Sequence, residues 1–187
     1  KPLNPKANER DGDPALKEGS LLTNVLNRVA RSCFYTVQQY YNGRIPAGNV
    51  SEQVLQEARE TVLEYERLMY KYEFHNVMNL MDTYIRNANK YWVSGMKEVK
   101  DTGNEELQKQ IVIDAFHMLR TSIVLMHPIA PEGTEMVCEY LGFGKEFWDW
   151  DRIFDTVFDF MSNPEEHTLK FLEPRVDFFR KHPSQLG

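Results

Sequence analysis

The feature that most constrains the fold is the spacing of apolar residues, which recur three and four positions apart through most of the chain. This spacing places them along one side of an α-helix. The first such stripe is made of Leu22, Val25, Leu26, Val29, Cys33, Val37 and Tyr40. No stretch alternates apolar and polar residues for long enough to indicate a sheet. The sequence therefore predicts an all-α, antiparallel helical bundle with short connections.

Turn-forming and capping residues predict where the first three helices begin and end. The first helix runs from about Pro14 to Tyr41 and stops at Asn42-Gly43, where glycine suits a left-handed C-cap. Ser51 is a good N-cap for the second helix. Its apolar stripe continues for more residues than one helix of a compact domain usually has, so we expect a break near residues 70–73.

Two further helices are predicted beyond this break. Gly95 weakens the end of the third helix, and Thr102-Gly-Asn-Glu105 has the spacing of a capping box that opens a fourth. Pro128 and Pro131 end the fourth helix. A short fifth helix runs from about Pro131 to Gly142.

Both ends of the chain differ in composition from the helical middle. Residues 1–14 hold three prolines, a glycine and many charges, which indicates a linker or arm from an upstream region. Residues 143–187 are rich in aromatic side chains and are predicted to pack on the bundle. We therefore predict a linker over 1–14 and one helical domain over 15–187. A chain that starts at Lys1 rather than Met indicates an excised fragment.

The charge balance excludes some classes of partner. The 187 residues include 28 acidic and 22 basic side chains, for a net charge of −6. A protein that coats DNA or RNA without sequence preference needs broad positive potential. A small site that stacks on unpaired RNA bases does not. No apolar run has transmembrane length and no signal peptide is present, so no membrane partner is expected and the predicted compartment is the cytoplasm. Cys33 and Cys138 are predicted to be buried thiols.

No arrangement of residues predicts a catalytic or metal centre. The five histidines lack the spacing of metal ligands, and phosphate-loop and nucleophile-elbow motifs are absent. Asp151, Asp155 and Asp159 follow one another at steps of four. We interpret them, with Asp149, as the solvated face of a helix and not as a cation site. His127 is predicted to stabilise the C-terminal end of a helix through the helix dipole.

Three segments together resemble the C-terminal domain of methionyl-tRNA synthetases, a class I family. The first joins Leu26-Asn-Arg-Val-Ala-Arg-Ser32 to Tyr40-Tyr-Asn-Gly-Arg-Ile-Pro46, similar to the family's N-x-x-x-R helix and its D/N-G turn. The second is Leu125-Met-His-Pro-Ile-Ala-Pro131, followed by Tyr140-Leu-Gly142, similar to the family's L-x-P-x-x-P helix break. The third is Leu172-Glu-Pro-Arg-Val-Asp177, similar to the family's L-F-P-R-I-[DE] close.

The resemblance implies a bundle of the class I anticodon-binding type, in which Asn27 and Arg31 face the anticodon bases. Residues four apart lie on one helical face about 6 Å from each other. An amide offers a donor and an acceptor to a base edge, and a guanidinium can hydrogen-bond or stack on a base. The residues alone leave open that the pair is ordinary helix surface.

One position departs from the family pattern. The family's tryptophan that stacks on an anticodon base falls here on Glu98, and a carboxylate cannot stack. Trp92, nearly two helical turns earlier, can take over this role or fill the core beside Tyr91, and core packing is favoured. This departure puts ordinary CAU recognition in doubt and suggests a divergent or paralogous synthetase.

The local positive charge predicts weak, salt-sensitive RNA binding. Arg28 and Arg44 are the candidate contacts to an RNA backbone beside Arg31, and Lys90 and Lys97 can join them.

These features predict a tRNA-recognition domain that supports methionine attachment by a catalytic domain outside this chain. The family's H-I-G-H and K-M-S-K-S signatures and zinc-binding insertion are absent, so the chain itself is predicted to be non-catalytic and without cofactors. ATP and zinc belong to the parent's catalytic region, where an ATP-dependent aminoacyl-tRNA ligase is implied. Methionine-type tRNA and that upstream domain are the implied partners. Two alternatives stay open: a protein-interaction or regulatory module that lost the usual anticodon recognition, and a bundle that only braces the catalytic domain.

Overall fold

Five α-helices form the body of the protein. The computed structural model describes residues 14–180, with side chains from Leu22 onward, so the predicted arm lies almost wholly outside the described residues. The helices, in chain order, are α1 (Pro14–Tyr40), α2 (Glu52–Tyr70), α3 (Phe74–Thr102), α4 (Glu105–Met126) and α5 (Pro131–Leu141). Between residues 14 and 180 no β-strand forms, and an isolated bridge pairs Arg44 with Thr168. The predicted all-α bundle is confirmed.

Helix α4 lies at the centre of the bundle. Every side chain from Ile111 to Met126 is buried, and α1, α2, α3 and α5 all pack against this helix. A helix covered on all sides needs apolar residues around its whole circumference. The single apolar stripe predicted for α4 is therefore only part of its buried surface.

A buried carboxylate ties three helices together. Asp114 of α4 is fully buried and accepts hydrogen bonds from Ser51 Oγ at 2.6 Å, Tyr91 Oη at 2.6 Å and Gln110 Nε2 at 2.9 Å. Burial raises the pKa of Tyr91, and the hydrogen bond to Asp114 raises it further. Ser51 occupies the predicted N-cap position of α2, but its hydroxyl bonds Asp114 and not the helix backbone.

The predicted break between the second and third helices is confirmed at residues 71–73. Tyr72 adopts a left-handed conformation with φ of 60°, which reverses the chain without a glycine. Tyr40 was predicted to belong to the buried apolar stripe of α1, and this prediction is wrong. Its side chain is 58% exposed, since α1 ends at this residue and the packed part of the helix lies before it.

Two details at the end of α3 correct the sequence analysis. The helix continues past Gly95, where a Cβ atom would lie 2.6 Å from Ile111 Cδ1, so glycine serves close packing against α4. Thr102 is the last residue of α3 and does not open α4. Asn104 is the N-cap instead, since its side chain accepts a hydrogen bond from the Leu107 amide at 3.1 Å.

Residues 143–180, the C-terminal segment, wrap over the helices as predicted. Its buried apolar side chains are Phe147, Ile153, Val157, Leu169, Leu172, Phe178 and Phe179. The acidic series from Asp149 to Asp159 does not lie on an α-helix, which corrects that prediction. The region forms 3-10 turns at Lys145–Trp148, Trp150–Arg152 and Val157–Phe160.

The departure from a helix in the C-terminal segment has a visible cause in α4. The buried Arg120 guanidinium donates to the carbonyl oxygens of Phe147, Arg152 and Asp155 at 3.0, 2.8 and 2.8 Å. Arg120 thus holds three carbonyls in and beside the 3-10 turns, and the Arg152 carbonyl also accepts a turn bond from the Asp155 amide at 2.9 Å. Burial lowers the pKa of Arg120 to about 10.

Candidate nucleic-acid interface

One face of α1 and the end of the C-terminal segment meet at a single carboxylate oxygen. Asn27 Nδ2 and Arg31 Nη1 donate to Asp177 Oδ1 at 2.9 and 3.0 Å. Because Asn27 and Arg31 are one helical turn apart, one acceptor can reach both. The structure thus brings the predicted pair together, and we call Asn27, Arg31 and Asp177 the polar corner.

Asn27 also fixes the backbone of the C-terminal segment. Its Oδ1 accepts hydrogen bonds from the amides of Phe178 at 2.9 Å and Phe179 at 3.4 Å. Both rings are buried, and the Phe178 ring centroid lies 5.3 Å from that of Phe34 on α1. Asn27 is half-buried in this setting, and one hydrogen of its amide remains for a ligand.

Arg31 supplies the charge of the polar corner. Its Nη2 donates to the Tyr35 hydroxyl at 3.1 Å, and its side chain is 31% exposed. The hydrogen bond to Tyr35, together with the charge of Asp177, raises the pKa of Arg31. One hydrogen on each terminal nitrogen stays available, so the corner offers donors on a cation at the protein surface.

A cleft of about 590 Å³ opens beside the polar corner. Asp177 and Arg180 line it from the C-terminal segment, and Pro131, Glu132 and Met136 line it from α5. This volume lies in the range of small-molecule sites. Asp177 is the member of the polar corner that lines this cleft.

Positive charge borders the polar corner on both sides. Arg28, predicted as a backbone contact, is exposed next to Asn27. Arg175 and Arg180, which flank Asp177 in sequence, are exposed as well. Together with Arg31 they supply four cations near the polar corner, against the carboxylates of Asp177, Glu132 and Glu173.

The other predicted positions lie elsewhere. Arg44 follows the end of α1, about 14 Å of helix beyond Arg31, and its Nε donates to Thr168 Oγ1 at 3.4 Å. Trp92 is 8% exposed and belongs to the hydrophobic core. A buried ring has no free face for a base, so we leave Trp92 out of the interface. Glu98 is exposed on α3.

Sequence reasoning did not name two residues that shape this site. Tyr35 lies four residues after Arg31, so the same helical spacing that paired Asn27 with Arg31 could have found it. Asp177 closes the third family-like segment, but nothing in a sequence position 146 residues from Arg31 indicates the contact.

The described residues contain neither a membrane-spanning helix nor a cluster of metal ligands. In residues 14–180, no helix is both long and apolar enough to cross a membrane. Among the side chains described from Leu22 to residue 180, no group of three or more His, Cys, Asp or Glu is placed to hold a metal ion. Cys33 and Cys138 are both buried and unpaired, and burial raises the pKa of Cys138 to about 12.

The fold is a helical bundle that is also found as one part of methionyl-tRNA synthetases. Methionyl-tRNA synthetase from Mycobacterium tuberculosis, solved in its apo form, superposes with a TM-score of 0.68 at 17% identity, over 85% of this chain and 32% of that one. The same enzyme bound to methionyl-adenylate gives a TM-score of 0.67 at 17% identity, over 84% of this chain and 31% of that one. At this level of identity the likeness concerns the fold.

Sequence comparison points to the same enzyme. Methionine–tRNA ligase of Bacillus subtilis is 29% identical over 168 residues, which is 83% of this chain and 24% of the relative. The ligase of Oceanobacillus iheyensis is 25% identical over 144 residues, which is 71% of this chain and 20% of the relative. The chain thus spans about a quarter or less of the length of these relatives. No protein-family model matches it. The resemblance to methionyl-tRNA synthetases predicted from three segments is confirmed.

Proposed function

We propose that this chain is the tRNA-contacting helical domain of a protein related to methionyl-tRNA synthetase, and that the polar corner recognises an unpaired anticodon base. The observation that carries the proposal is the convergence of Asn27 and Arg31 on one oxygen at a half-exposed surface. Methionine attachment would be the work of another region of the parent protein.

The geometry supports contact with a base edge. Asp177 orients both side chains, so little side-chain freedom is lost when a ligand binds. The remaining hydrogens of the Asn27 amide and the Arg31 guanidinium then suit acceptor atoms such as the O2 and N3 of cytosine. RNA bases outside a helix expose these edges.

The electrostatics support weak and local binding. Exposed Arg28, Arg175 and Arg180 lie close to the corner residues in sequence, while the whole chain has a net charge of −6. Few phosphates can therefore be neutralised, and the affinity of the isolated domain should fall with added salt on a shallow slope.

The test is a titration of the domain with methionine tRNA and with an unrelated tRNA at low salt. Arg31→Met keeps the length of the side chain and removes its charge and donors. We expect it to weaken methionine tRNA binding by about tenfold, the size of a lost charge-assisted hydrogen bond. Arg86→Met is the matched control, because Arg86 is an exposed arginine of α3 that pairs with Asp82.

Thermal unfolding of each variant shows whether the fold is kept. Equal binding of methionine and unrelated tRNAs, or equal loss of affinity in the Arg31 and Arg86 variants, would rule out recognition by the polar corner.

A further inference from the structure

A second surface, far from the polar corner in sequence, is an open groove of about 820 Å³ between the ends of α2 and α4 and the first turns of the C-terminal segment. Most of its wall is aromatic: Tyr65, Tyr70, Tyr72, His127, Trp148 and Trp150. We call this surface the aromatic groove. Its function is not accounted for by RNA recognition at the polar corner.

The rings at the rim are unusually exposed. Tyr70 is 87% exposed and Tyr72 is 79% exposed, although large apolar groups normally lie inside a domain. Tyr72 also adopts its left-handed φ of 60°, a conformation that glycine or asparagine takes more easily. The Tyr72 ring therefore faces the solvent beside the groove. Clustered exposed apolar groups of this kind mark interaction surfaces.

Contacts among the side chains of the groove and its border order several of its rings. His127 stacks on Trp148 with ring centroids 4.1 Å apart, and its Nε2 lies 3.0 Å from Glu135. Trp150 Nε1 donates to Glu66 Oε1 at 3.2 Å. The indole therefore fixes a carboxylate within an aromatic wall. This arrangement is suited to a cation, since ring faces and a carboxylate both attract positive charge.

The charge around the groove selects against nucleic acid. The acidic residues within it or next to its lining residues in sequence are Glu64, Glu66, Glu73, Asp149 and Asp151. The corresponding basic residues are Lys71 and Arg67, and Arg67 is paired with Glu64. Phosphates would be repelled by this excess of carboxylates, whereas lysine and arginine side chains would be attracted.

We infer that the aromatic groove docks a basic segment of a protein partner, with a lysine or arginine at Glu66 and apolar neighbours against the exposed tyrosines. The stem of a long cationic side chain packs on aromatic rings while its charged end pairs with the carboxylate. Docking at this groove does not depend on RNA binding at the polar corner.

Tryptophan signals offer a direct test. The chain has three tryptophans, so a nitrogen–proton spectrum of the labelled protein contains three indole signals, and buried Trp92 serves as an internal reference. The probe is a short amphipathic peptide of leucine and lysine, and the control probe replaces each lysine by glutamate. We expect the lysine peptide to shift the signals of Trp148 and Trp150 but not of Trp92, and the glutamate peptide to shift none.

Variants test the chemistry of the groove. Glu66→Gln keeps the shape and removes the charge, and should weaken the lysine peptide by about fivefold, as for a partly exposed ion pair. Replacing Tyr70 and Tyr72 together by alanine should weaken it by about tenfold, since exposed rings are removed without opening the core. Glu60→Gln, an exposed carboxylate of α2 outside the groove, should change nothing.

Several results would overturn the inference. One is equal binding of the lysine and glutamate peptides, and another is full binding by the Glu66→Gln variant. Shifts of Trp148 and Trp150 that grow with protein concentration alone, together with a dimer mass in light scattering, would assign the groove to a second copy of this chain. Shifts of the same signals by tRNA would assign it to RNA.

Discussion

The four long helices and the C-terminal segment are held in place by different interactions. In the helices, apolar side chains at spacings of three and four bury against one another, and each has many neighbours. In the C-terminal segment the regular structure is limited to short 3-10 turns. Its backbone is held by polar side chains of the helices, among them Arg120 of α4 and both Asn27 and Gln38 of α1.

This difference shows where the molecule is sensitive to single changes. A core made of many apolar contacts can repack around a substitution of similar volume. An anchor made by one polar side chain cannot be replaced by its neighbours, and a buried carbonyl or amide left without a partner is destabilising. Because Asp177 reaches the polar corner only through the folded C-terminal segment, these anchors also decide whether that corner exists.

The largest expected effect is that of Arg120→Met. Three carbonyls of the C-terminal segment lose a charged donor in a buried setting. We expect the free energy of unfolding to fall by about 3 kcal/mol, the scale of a broken buried polar network. Urea denaturation measures the loss. Hydrogen exchange should show amides of residues 143–180 opening before those of the helices.

Arg86→Met is the control for removing an arginine. This exposed residue forms an ion pair with Asp82 within α3, so a change below about 0.5 kcal/mol is expected. If the Arg120 variant opened the helices and the C-terminal segment together, with the same free energy, the proposed difference between the two regions would be wrong.

A smaller, pH-dependent effect is expected from His117. This histidine is 2% exposed and lines a small cavity shared with Ile153 and Phe154 of the C-terminal segment. Burial, with the nearby charge of Arg120, lowers the pKa of His117 from 6.5 to about 4. Between these values the unfolded chain binds a proton that the folded chain does not. Stability should therefore fall as the pH drops from 6.5 toward 4.

The measurement compares unfolding free energies at about pH 7 and about pH 4.5 in the parent protein and in His117→Leu. The variant should lose about 2 kcal/mol less than the parent on acidification, which is the part due to this one group. His75→Leu removes an exposed histidine of α3 and is the control substitution. An equal pH dependence in all three proteins would mean that burial does not lower the pKa of His117 in the folded protein.

The same difference between regions explains how far the sequence predicted the fold. The helices could be predicted because their spacing reports burial directly, and the break near Tyr72 followed from helix length. Details at helix ends were harder, as at Thr102 and Asn104, since both residue types can cap a helix and local sequence does not rank them.

The C-terminal segment and the site depend on contacts between distant parts of the chain. The aspartate series from 149 to 159 has helical spacing, yet Arg120 holds the local carbonyls in another conformation. Likewise, Asn27 and Arg31 could be placed on one face of α1, but their contact with Asp177 depends on the path of the whole C-terminal segment. The spacing of apolar residues along a helix does not indicate which distant parts of the chain contact one another.

The smallest expected effects come from two substitutions of Asp177, which distinguish the contribution of charge from that of hydrogen bonding at the polar corner. Asp177→Asn keeps an acceptor for Asn27 and Arg31 and removes the charge. The side chains of Arg31 and Asp177 are 31% and 38% exposed, so the ion pair is screened and its loss should lower stability by about 0.5 kcal/mol. Asp177→Ala also removes the acceptor and should lower stability by about 1 kcal/mol. In about 1 M salt the asparagine variant should match the parent while the alanine variant should not, because salt weakens the ion pair more than the hydrogen bonds. If both variants recovered in salt, charge alone would hold the C-terminal segment at the polar corner. If the asparagine variant lost no stability even at low salt, hydrogen bonding would hold it alone.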